Sequence, residues 1–423
     1  MLSEFDSLVG RISFIRPQDK NWHDTCFLSA CRSESMKQTE SEWSTVHSFF
    51  IGTSKMEKTK HAREINEQKK DETIIPPLKK NTNYCPDYSG RTDFKTIRIG
   101  DDINCIGNFA FADCTSLESV VIPNSVKDTG VSVFEGCINL KSVVLPHGIQ
   151  VIRRYMFNLC EKLHSIVIPE SVKAIQESAF KDAGLISLVI PDSVETIEYH
   201  AFAGATLTSV VIPGTVNEIG NSAFSMCAQL TSAVISNGVK EIGNNAFGDC
   251  SSLASITIPD SVKIIGCSAF GGCSGLVSAI IPNGVKEIGD SAFEGCSSLA
   301  SIVIPESVKR IRKRTFAKCK GLTSVIISEG VEAIERSAFE GCSGLTSVVI
   351  PKSVKRIDTK AFWGCTSLNS VVVPESVEKI KGNAFGNCTI SVEMNPATKQ
   401  RGYIKKTKKN EAPQLPGFPE LDS

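Results

Sequence analysis

The sequence predicts a repeat solenoid, a fold in which one short structural unit is stacked many times along an axis. Three observations support this fold class. A unit of the form L-x-S-V-V-I-P-x-S-V-x-x-I-x-x-x-A-F-x-x-C-x-x recurs thirteen times, with 22 or 23 residues between successive starts. Position 18 of the unit is Phe in every copy. A segment this short cannot bury its apolar face alone, so neighbouring units must bury it.

The register of the repeat is unambiguous along its whole length. The units begin at Phe94, Leu117, Leu140, Leu163, Leu185, Leu207, Leu230, Leu253, Leu276, Leu299, Leu322, Leu345 and Leu368. The invariant residues at position 18 are Phe111, Phe134, Phe157, Phe180, Phe202, Phe224, Phe247, Phe270, Phe293, Phe316, Phe339, Phe362 and Phe385. We therefore number all equivalent residues by their position in the unit.

Each unit is predicted to open with a short strand. Positions 1, 4 and 6, such as Leu299, Ile302 and Ile304, are apolar, and positions 4 and 6 alternate as in a strand with one buried side. Proline at position 7 ends the strand because it cannot donate to a ladder. Apolar residues at positions 10, 13, 17 and 18 continue around the same core. We expect a curved right-handed solenoid with a parallel β-sheet on its concave face and an internal Phe ladder.

The chain divides into three predicted regions. Residues 1–90 carry no repeat, and their second half is dominated by Lys, Glu and polar residues, which favours a disordered, low-complexity segment. Residues 91–394 form the solenoid. Residues 395–423 form a basic, then proline-containing, flexible tail.

Composition excludes several classes of function. The 423 residues contain 46 Lys and Arg and 46 Asp and Glu, so no net field favours nucleic acid, and we expect no nucleic-acid partner. No long uncharged apolar run is present to span a membrane. The N-terminal segment lacks the basic end and apolar core of a signal peptide. We expect a cytoplasmic or otherwise intracellular protein, with cell-surface display or secretion as the alternative; the oligomeric state stays open.

The unit LTSVVIPKSVKRIDTKAFWGC, which begins at Leu345, resembles the BspA-like, or treponemal-type, leucine-rich repeat. The resemblance implies a curved leucine-rich-repeat solenoid that binds proteins. It also implies that the chain could be a cell-surface adhesin for host or matrix proteins, because many members of that family are displayed in this way.

Cysteine is concentrated at one position of the unit. Eleven of the sixteen cysteines occupy position 21, where stacked neighbours should lie about 4.8 Å apart with parallel Cβ vectors. A disulfide needs facing Cβ atoms about 3.8 Å apart, and zinc needs four converging ligands. We interpret the column as small buried residues with weak S–H donors. The segment HDTCFLSAC near the N-terminus matches no zinc spacing.

No catalytic or cofactor-binding motif is present. The sequence lacks G-x-S-x-G, Walker A, H-E-x-x-H and a dinucleotide-binding glycine fingerprint, and its six histidines share no repeat position. Acidic residues recur at position 8, but exposed acids of this kind more often solvate a strand end than bind calcium. We expect no enzyme activity, cofactor or metal.

The sheet itself is the predicted partner-binding surface. Positions 3 and 5 of the strand face away from the core: position 3 is almost always Ser, and position 5 is almost always Val or Ile. The predicted stripe at position 5 consists of Val121, Val144, Val167, Val189, Val211, Val234, Ile280, Val303, Ile326, Val349 and Val372. A protein or peptide could lie along it. Alternatively, these β-branched residues are present only because they favour strand structure. In that case the array is structural, and the N- and C-terminal tails bind the partner.

A basic cluster interrupts the otherwise balanced charge. Seven basic residues occupy the twelve positions from Lys309 to Lys320. Equivalent positions in adjacent units predict ion pairs that neutralise most of them: Arg310 with Glu287, Lys309 with Glu332, Arg312 with Glu335, and Lys313 with Asp290. Arg314 and Lys320 have no such partner and are predicted to offer a modest contact for an anionic group.

Overall fold

The computed structural model describes residues 73–75 and 84–390, and the predicted solenoid is confirmed over this part of the chain. The regular elements described there are short strands, and every strand pair is parallel. Most units contribute one strand at positions 3 to 6 and a second at positions 12 and 13. The strands form two layers, and the Leu, Ile, Val and Phe side chains between them are buried.

The first layer contains β1 (Thr73–Ile75), β3 (Thr96–Ile99), β5 (Ser119–Val121), β7 (Ser142–Val144), β11 (Ser209–Ile212), β13 (Ser232–Ile235), β15 (Ser255–Thr257), β17 (Ser278–Ala279), β19 (Ser301–Ile304), β21 (Ser324–Ile327), β23 (Ser347–Val349) and β25 (Ser370–Val372). The second layer contains β2 (Tyr84–Cys85), β4 (Cys105–Ile106), β6 (Asp128–Thr129), β8 (Val151–Ile152), β9 (Ala174–Ile175), β10 (Thr196–Ile197), β12 (Glu218–Ile219), β14 (Glu241–Ile242), β16 (Ile264–Ile265), β18 (Glu287–Ile288), β20 (Arg310–Ile311), β22 (Ala333–Ile334), β24 (Arg356–Ile357) and β26 (Lys379–Ile380).

The predicted Phe ladder is confirmed. Successive rings at position 18 stack with centroids 5.0 to 5.7 Å apart and planes within 23° of parallel. The centroid spacing exceeds the thickness of a ring, so the rings are offset, which is a favourable arrangement for parallel aromatics. The ladder therefore links successive units through their largest side chains, which are fully buried from Phe111 to Phe362.

The array begins earlier than the predicted boundary at residue 91. Strand β1 pairs with β3, and β2 pairs with β4. Tyr88 stacks on Phe111 with a centroid distance of 5.5 Å and so extends the ring ladder by one step. Residues 73–75 and 84–90 thus belong to a partial unit that the repeat pattern did not reveal, because its ring residue is Tyr88 instead of the Phe that marks every other unit. The other predictions for residues 1–90, and those for 395–423, lie outside the described residues.

Two units depart from the predicted strand pattern. The units that begin at Leu163 and Leu185 have no strand at positions 3 to 6, so the first layer is interrupted between β7 and β11. These are the 22-residue units. Their apolar positions remain buried, as at Ile166 and Ile168. These two units therefore lose the backbone ladder of the first layer while their side-chain packing persists.

A third set of backbone hydrogen bonds joins the turns that follow position 15. At the junction between the Leu276 and Leu299 units, the amides of Ser291, Phe293 and Gly295 donate to the next unit over 2.8 to 2.9 Å. Positions 16 and 20 of all thirteen units have positive φ, yet position 16 is never glycine. Because a left-handed non-glycine residue costs roughly 1 to 2 kcal/mol, the inter-unit bonds must stabilise this turn.

The second layer is interrupted twice, between β6 and β8 and between β18 and β20. At both places position 14 changes from Gly to Arg, first from Gly130 to Arg153 and then from Gly289 to Arg312. The amide at position 14 donates to the preceding unit over 2.7 to 3.0 Å in ten units. Among the described residues, neither arginine amide has a backbone acceptor.

Close approach of the glycine turns explains the interruptions. A Cβ added to Gly289 would lie 2.4 Å from the backbone nitrogen of Cys267, and one added to Gly130 would lie 2.3 Å from that of Asn108. Units with glycine at position 14 therefore stack more closely than a side chain permits. An arginine that follows such a unit cannot repeat its geometry, so the ladder opens.

We expect Gly266→Ala to reduce the free energy of unfolding by about 1 to 3 kcal/mol, because the new methyl group would overlap the backbone of the preceding unit. A Cβ at Gly266 would lie 2.7 Å from the backbone nitrogen of Asn244. Urea unfolding measures the effect. The matched control is Gly382→Ala, where a Cβ has no neighbour within 4 Å; equal losses in the two variants would refute the close-stacking explanation.

Candidate partner-binding surface

The outer face of the first layer carries the stripe predicted at position 5. Nine of its eleven residues are exposed, with relative accessibilities from 41% at Val234 to 70% at Ile280. Val121 and Val144 are only half-buried. In β19 the pattern alternates strictly, since Ser301 and Val303 are exposed while Ile302 and Ile304 are buried. The backbone pleat thus places the stripe outside the core.

A row of hydroxyl groups runs beside the stripe. Cα pairing keeps Ser209, Ser232 and Ser255 in register, and it does the same for Ser278, Ser301 and Ser324. The same register aligns Val211 with Val234 and Val303 with Ile326. Apolar and hydroxyl groups therefore form two parallel lines, each with the spacing of adjacent strands.

The stripe is not uniform along the array. Val167 and Val189 are exposed at 43% and 65%, but they lie in the two units without a first-layer strand. Thr257 replaces the apolar residue in β15, and Arg98 replaces it in β3. The longest run of paired strands, β11 to β21, is therefore the broadest regular part of this surface.

The ion pairs near Lys309 to Lys320 differ from the predicted ones. Arg312 binds Glu287 over 2.9 Å and Arg310 approaches Glu335 at 4.0 Å, so each arginine contacts the partner predicted for the other. The side chains reach diagonally across the units because they are long compared with the strand spacing. The predicted pairs of Lys309 with Glu332 and of Lys313 with Asp290 are not formed among the described residues.

Arg314 also has a partner that register alone did not predict. Its guanidinium forms two hydrogen bonds with Glu294, and Lys318 binds the same carboxylate over 3.1 Å. The hydrogen bonds from Arg314, together with the Lys318 contact, lower the pKa of Glu294 to about 2. This pairing occupies the guanidinium predicted to contact an anion. Lys320 forms no ion pair within the described residues, and its anionic contact stays a prediction.

The cysteine column packs as predicted. At position 21 each sulfur donates to a backbone carbonyl of the preceding turn over 3.0 to 3.2 Å, as Cys250 does to the carbonyl of Phe224. The described cysteines are free thiols. Burial raises the pKa of Cys296 to about 12. The column is therefore a row of thiols that donate to backbone carbonyls inside the turn.

Other candidate sites have no counterpart in the described residues. No group of three or more His, Cys, Asp and Glu side chains is placed to hold a metal ion between residues 84 and 390. The HDTCFLSAC segment lies outside the described part of the chain. Residues 73–75 and 84–390 contain no helix long and apolar enough to cross a membrane.

The repeat region is similar to known leucine-rich repeat proteins. The profile of the BspA type leucine rich repeat region matches residues 87–207, 195–311 and 286–398. A leucine-rich repeat protein from Bacteroides ovatus is 27% identical, with a TM-score of 0.60 over 79% of this chain and 92% of that one. A leucine rich cell surface protein from Faecalibacterium prausnitzii is 28% identical, with a TM-score of 0.45 over 73% and 89%. No curated protein matches the chain.

Proposed function

The chain belongs to the BspA-type leucine-rich repeat family, and we propose that it is a non-enzymatic scaffold that binds a protein or peptide along the outer face of the first layer. The exposed stripe carries this proposal. Soluble proteins seldom leave a continuous apolar patch on their surface unless it is covered by a partner.

The most regular part of the stripe lies between β11 and β21, the longest run of paired strands in the first layer. Val211, Val234, Val303 and Ile326 are 41% to 58% exposed there, whereas the intervening core residues are almost fully buried. A partner with an extended apolar segment could cover these side chains, while the adjacent serine hydroxyls would donate to its backbone carbonyls or polar side chains. Binding energy would come from area removed from water, and orientation from the hydroxyl row.

We expect the triple variant Val211→Lys, Val234→Lys and Val303→Lys to capture at least about tenfold less partner than the wild type. Each lysine would place a charge against the apolar surface that the partner covers, and an uncompensated buried charge opposes binding by more than the 1.4 kcal/mol that corresponds to tenfold. The measurement is quantitative affinity capture with the full-length chain as bait. Arg98 already occupies position 5, so a long basic side chain is compatible with this strand position.

A matched variant tests whether location or added charge is responsible. Leu159→Lys, Met226→Lys and Val277→Lys make the same kind of change at residues that are 40%, 52% and 52% exposed but lie off the stripe. This control is expected to retain capture, and both triples should keep the wild-type thermal transition. If the stripe triple still captures its partner at the wild-type level, recognition lies elsewhere, for example in the tails.

A further inference from the structure

The interruption between β18 and β20 opens a cleft on the second layer, away from the stripe. Its volume is about 520 Å³, and it is lined by Lys286, Glu287, Ile288, Ser307, Lys309, Arg310 and Arg312. Four of these side chains are basic and one is acidic. The cleft thus combines a cavity with a local excess of positive charge in a protein whose overall charge is balanced.

The ion pairs of the cleft leave most of this charge uncompensated. Glu287, the acidic side chain of the lining, forms an ion pair with Arg312 over 2.9 Å. Arg310 only approaches Glu335, at 4.0 Å, and its side chain is 65% exposed. Lys286 and Lys309 form no ion pair with any described residue. Three cationic groups are therefore available to an incoming anion.

Backbone donors add to the side chains. At neighbouring junctions the amides at positions 11 and 14 donate to the preceding unit, as Lys286 does to Lys263 over 2.8 Å and Glu335 does to Ile311 over 2.8 Å. The corresponding amides of Lys309 and Arg312 have no backbone acceptor within the described residues. Both amides lie at the junction where the second layer is open. Convergent backbone amides and basic side chains are the groups that bind oxyanions.

The other interruption shows what distinguishes this cleft. Between β6 and β8 the ladder is open in the same way, and Arg153 binds Asp128 over 2.7 Å. However, the residues equivalent to Ser307, Lys309 and Arg310 are Gly148, Gln150 and Val151. That junction keeps Lys127 and Arg153, the equivalents of Lys286 and Arg312, but it lacks the cations at positions 11 and 12 of the following unit. The complete basic lining is therefore particular to the second interruption.

We infer that the cleft between the Leu276 and Leu299 units binds a phosphoryl group, either as free inorganic phosphate or on a phosphorylated side chain. The cations at Lys286, Lys309 and Arg310 would neutralise its charge, and the amides of Lys309 and Arg312 would donate to its oxygens. The site is separate from the stripe at position 5 and does not depend on the proposed scaffold function. Since the cavity volume exceeds that of a phosphate ion, it also has room for the residue that carries the group.

The test measures binding of inorganic phosphate, of a phosphoserine peptide and of its unphosphorylated form to the full-length protein by calorimetry. We expect Lys309→Gln with Arg310→Gln to weaken phosphate binding at least about tenfold, because two charge-assisted hydrogen bonds are lost. The matched control is Lys355→Gln with Arg356→Gln, at the same repeat positions two units further on, where the ladder is closed. The control should bind phosphate within about twofold of the wild type.

Amide hydrogen exchange gives a second readout that does not depend on the variants. Phosphate should slow exchange at the amides of Lys309 and Arg312 and leave that at Glu332 and Glu335 unchanged. Tighter binding of the phosphoserine peptide than of free phosphate would identify a phosphorylated protein as the ligand, whereas equal binding would identify the free ion. The proposal is overturned if both double variants weaken binding equally, or if saturating phosphate protects neither amide.

Discussion

Raising the pH from about 8 to about 10.5 is expected to unfold the protein cooperatively, with thiolate formation in the cysteine column as the main cause. Burial raises the pKa of Cys137, Cys160, Cys296 and Cys342 above the ordinary thiol value of 9.0, in Cys296 to about 12. The folded chain therefore keeps these protons at pH values where the unfolded chain releases them. The resulting stability is complete below pH 9 and decreases as the pH rises toward 12.

The expected size of this effect is large. A thiol that is protonated only in the folded state lowers the free energy of unfolding by about 1.4 kcal/mol for each pH unit above 9. Four such thiols lower it by about 6 kcal/mol per pH unit, which is comparable to the whole stability of many domains. Their sulfur atoms already donate to backbone carbonyls, so a thiolate would also lose a hydrogen bond and repel the oxygen.

The measurement is the free energy of urea unfolding between pH 8 and pH 10.5 in the presence of a reductant that prevents disulfide formation. The triple variant Cys137→Ala, Cys296→Ala and Cys342→Ala should be less stable at pH 8 and should lose about 4 kcal/mol per pH unit of the dependence above pH 9, while the other buried thiols of the column keep their contribution. Ala183 and Ala205 already occupy position 21 in the two shorter units, so alanine is compatible with this column. Cys267→Ala, at an exposed cysteine outside the column, is the control and should keep the wild-type slope. An unchanged slope in the triple variant would exclude the column as the cause.

Phe270→Ala is expected to reduce the free energy of unfolding by about 3 to 5 kcal/mol, the range for removal of a fully buried aromatic side chain. Its ring lies between those of Phe247 and Phe293, with centroid distances of 5.6 and 5.2 Å. Substitution would leave a cavity in the core and remove both ring contacts. Urea unfolding at pH 7.5 measures the loss.

Phe385→Ala is the matched control at the C-terminal end of the ladder. Within residues 84–390 this ring stacks only on Phe362, at 5.2 Å, and it is partly exposed. Its removal should cost less than half as much as removal of Phe270, because it leaves a smaller cavity and one ring contact instead of two. Comparable losses at both positions would show that the ladder contributes through local packing within a unit and not through contacts between units.

The sequence was sufficient to predict most of the fold because the repeat shows which positions of each unit are buried. Thirteen copies place apolar residues at the same positions, so burial of Leu299, Ile302 and Phe316 follows from the pattern alone. The outward direction of Val211 and Val303 follows from the same alternation. These predictions depend on periodicity, which can be identified by comparing the units within this one sequence.

The ion-pair partners and the basic cleft could not be predicted, because they depend on distances between side chains and between turns that the repeat pattern does not give. The register predicted that Arg310 would pair with Glu287. In the structure Arg310 instead approaches Glu335, and Arg312 binds Glu287, because the side chains reach diagonally between units. The basic cleft depends on close stacking of the glycine turns, which is visible only when a Cβ is built at Gly289. The sequence signal was nevertheless present: position 14 changes from Gly to Arg at the two places where the second layer opens.

The two interruptions of the second layer also bear on how the protein folds. They divide that layer into blocks of three, seven and four strands. In a stack whose units contact only their neighbours, the energy of each interface determines how far an unfolding boundary travels before it stops. A boundary that moves inward from either end should therefore pause at the weakened interfaces beside Arg153 and Arg312. We therefore expect the glycine-to-arginine changes to influence the lengths of the segments that fold and unfold as single steps, so that a long array can lose an end while its centre stays native.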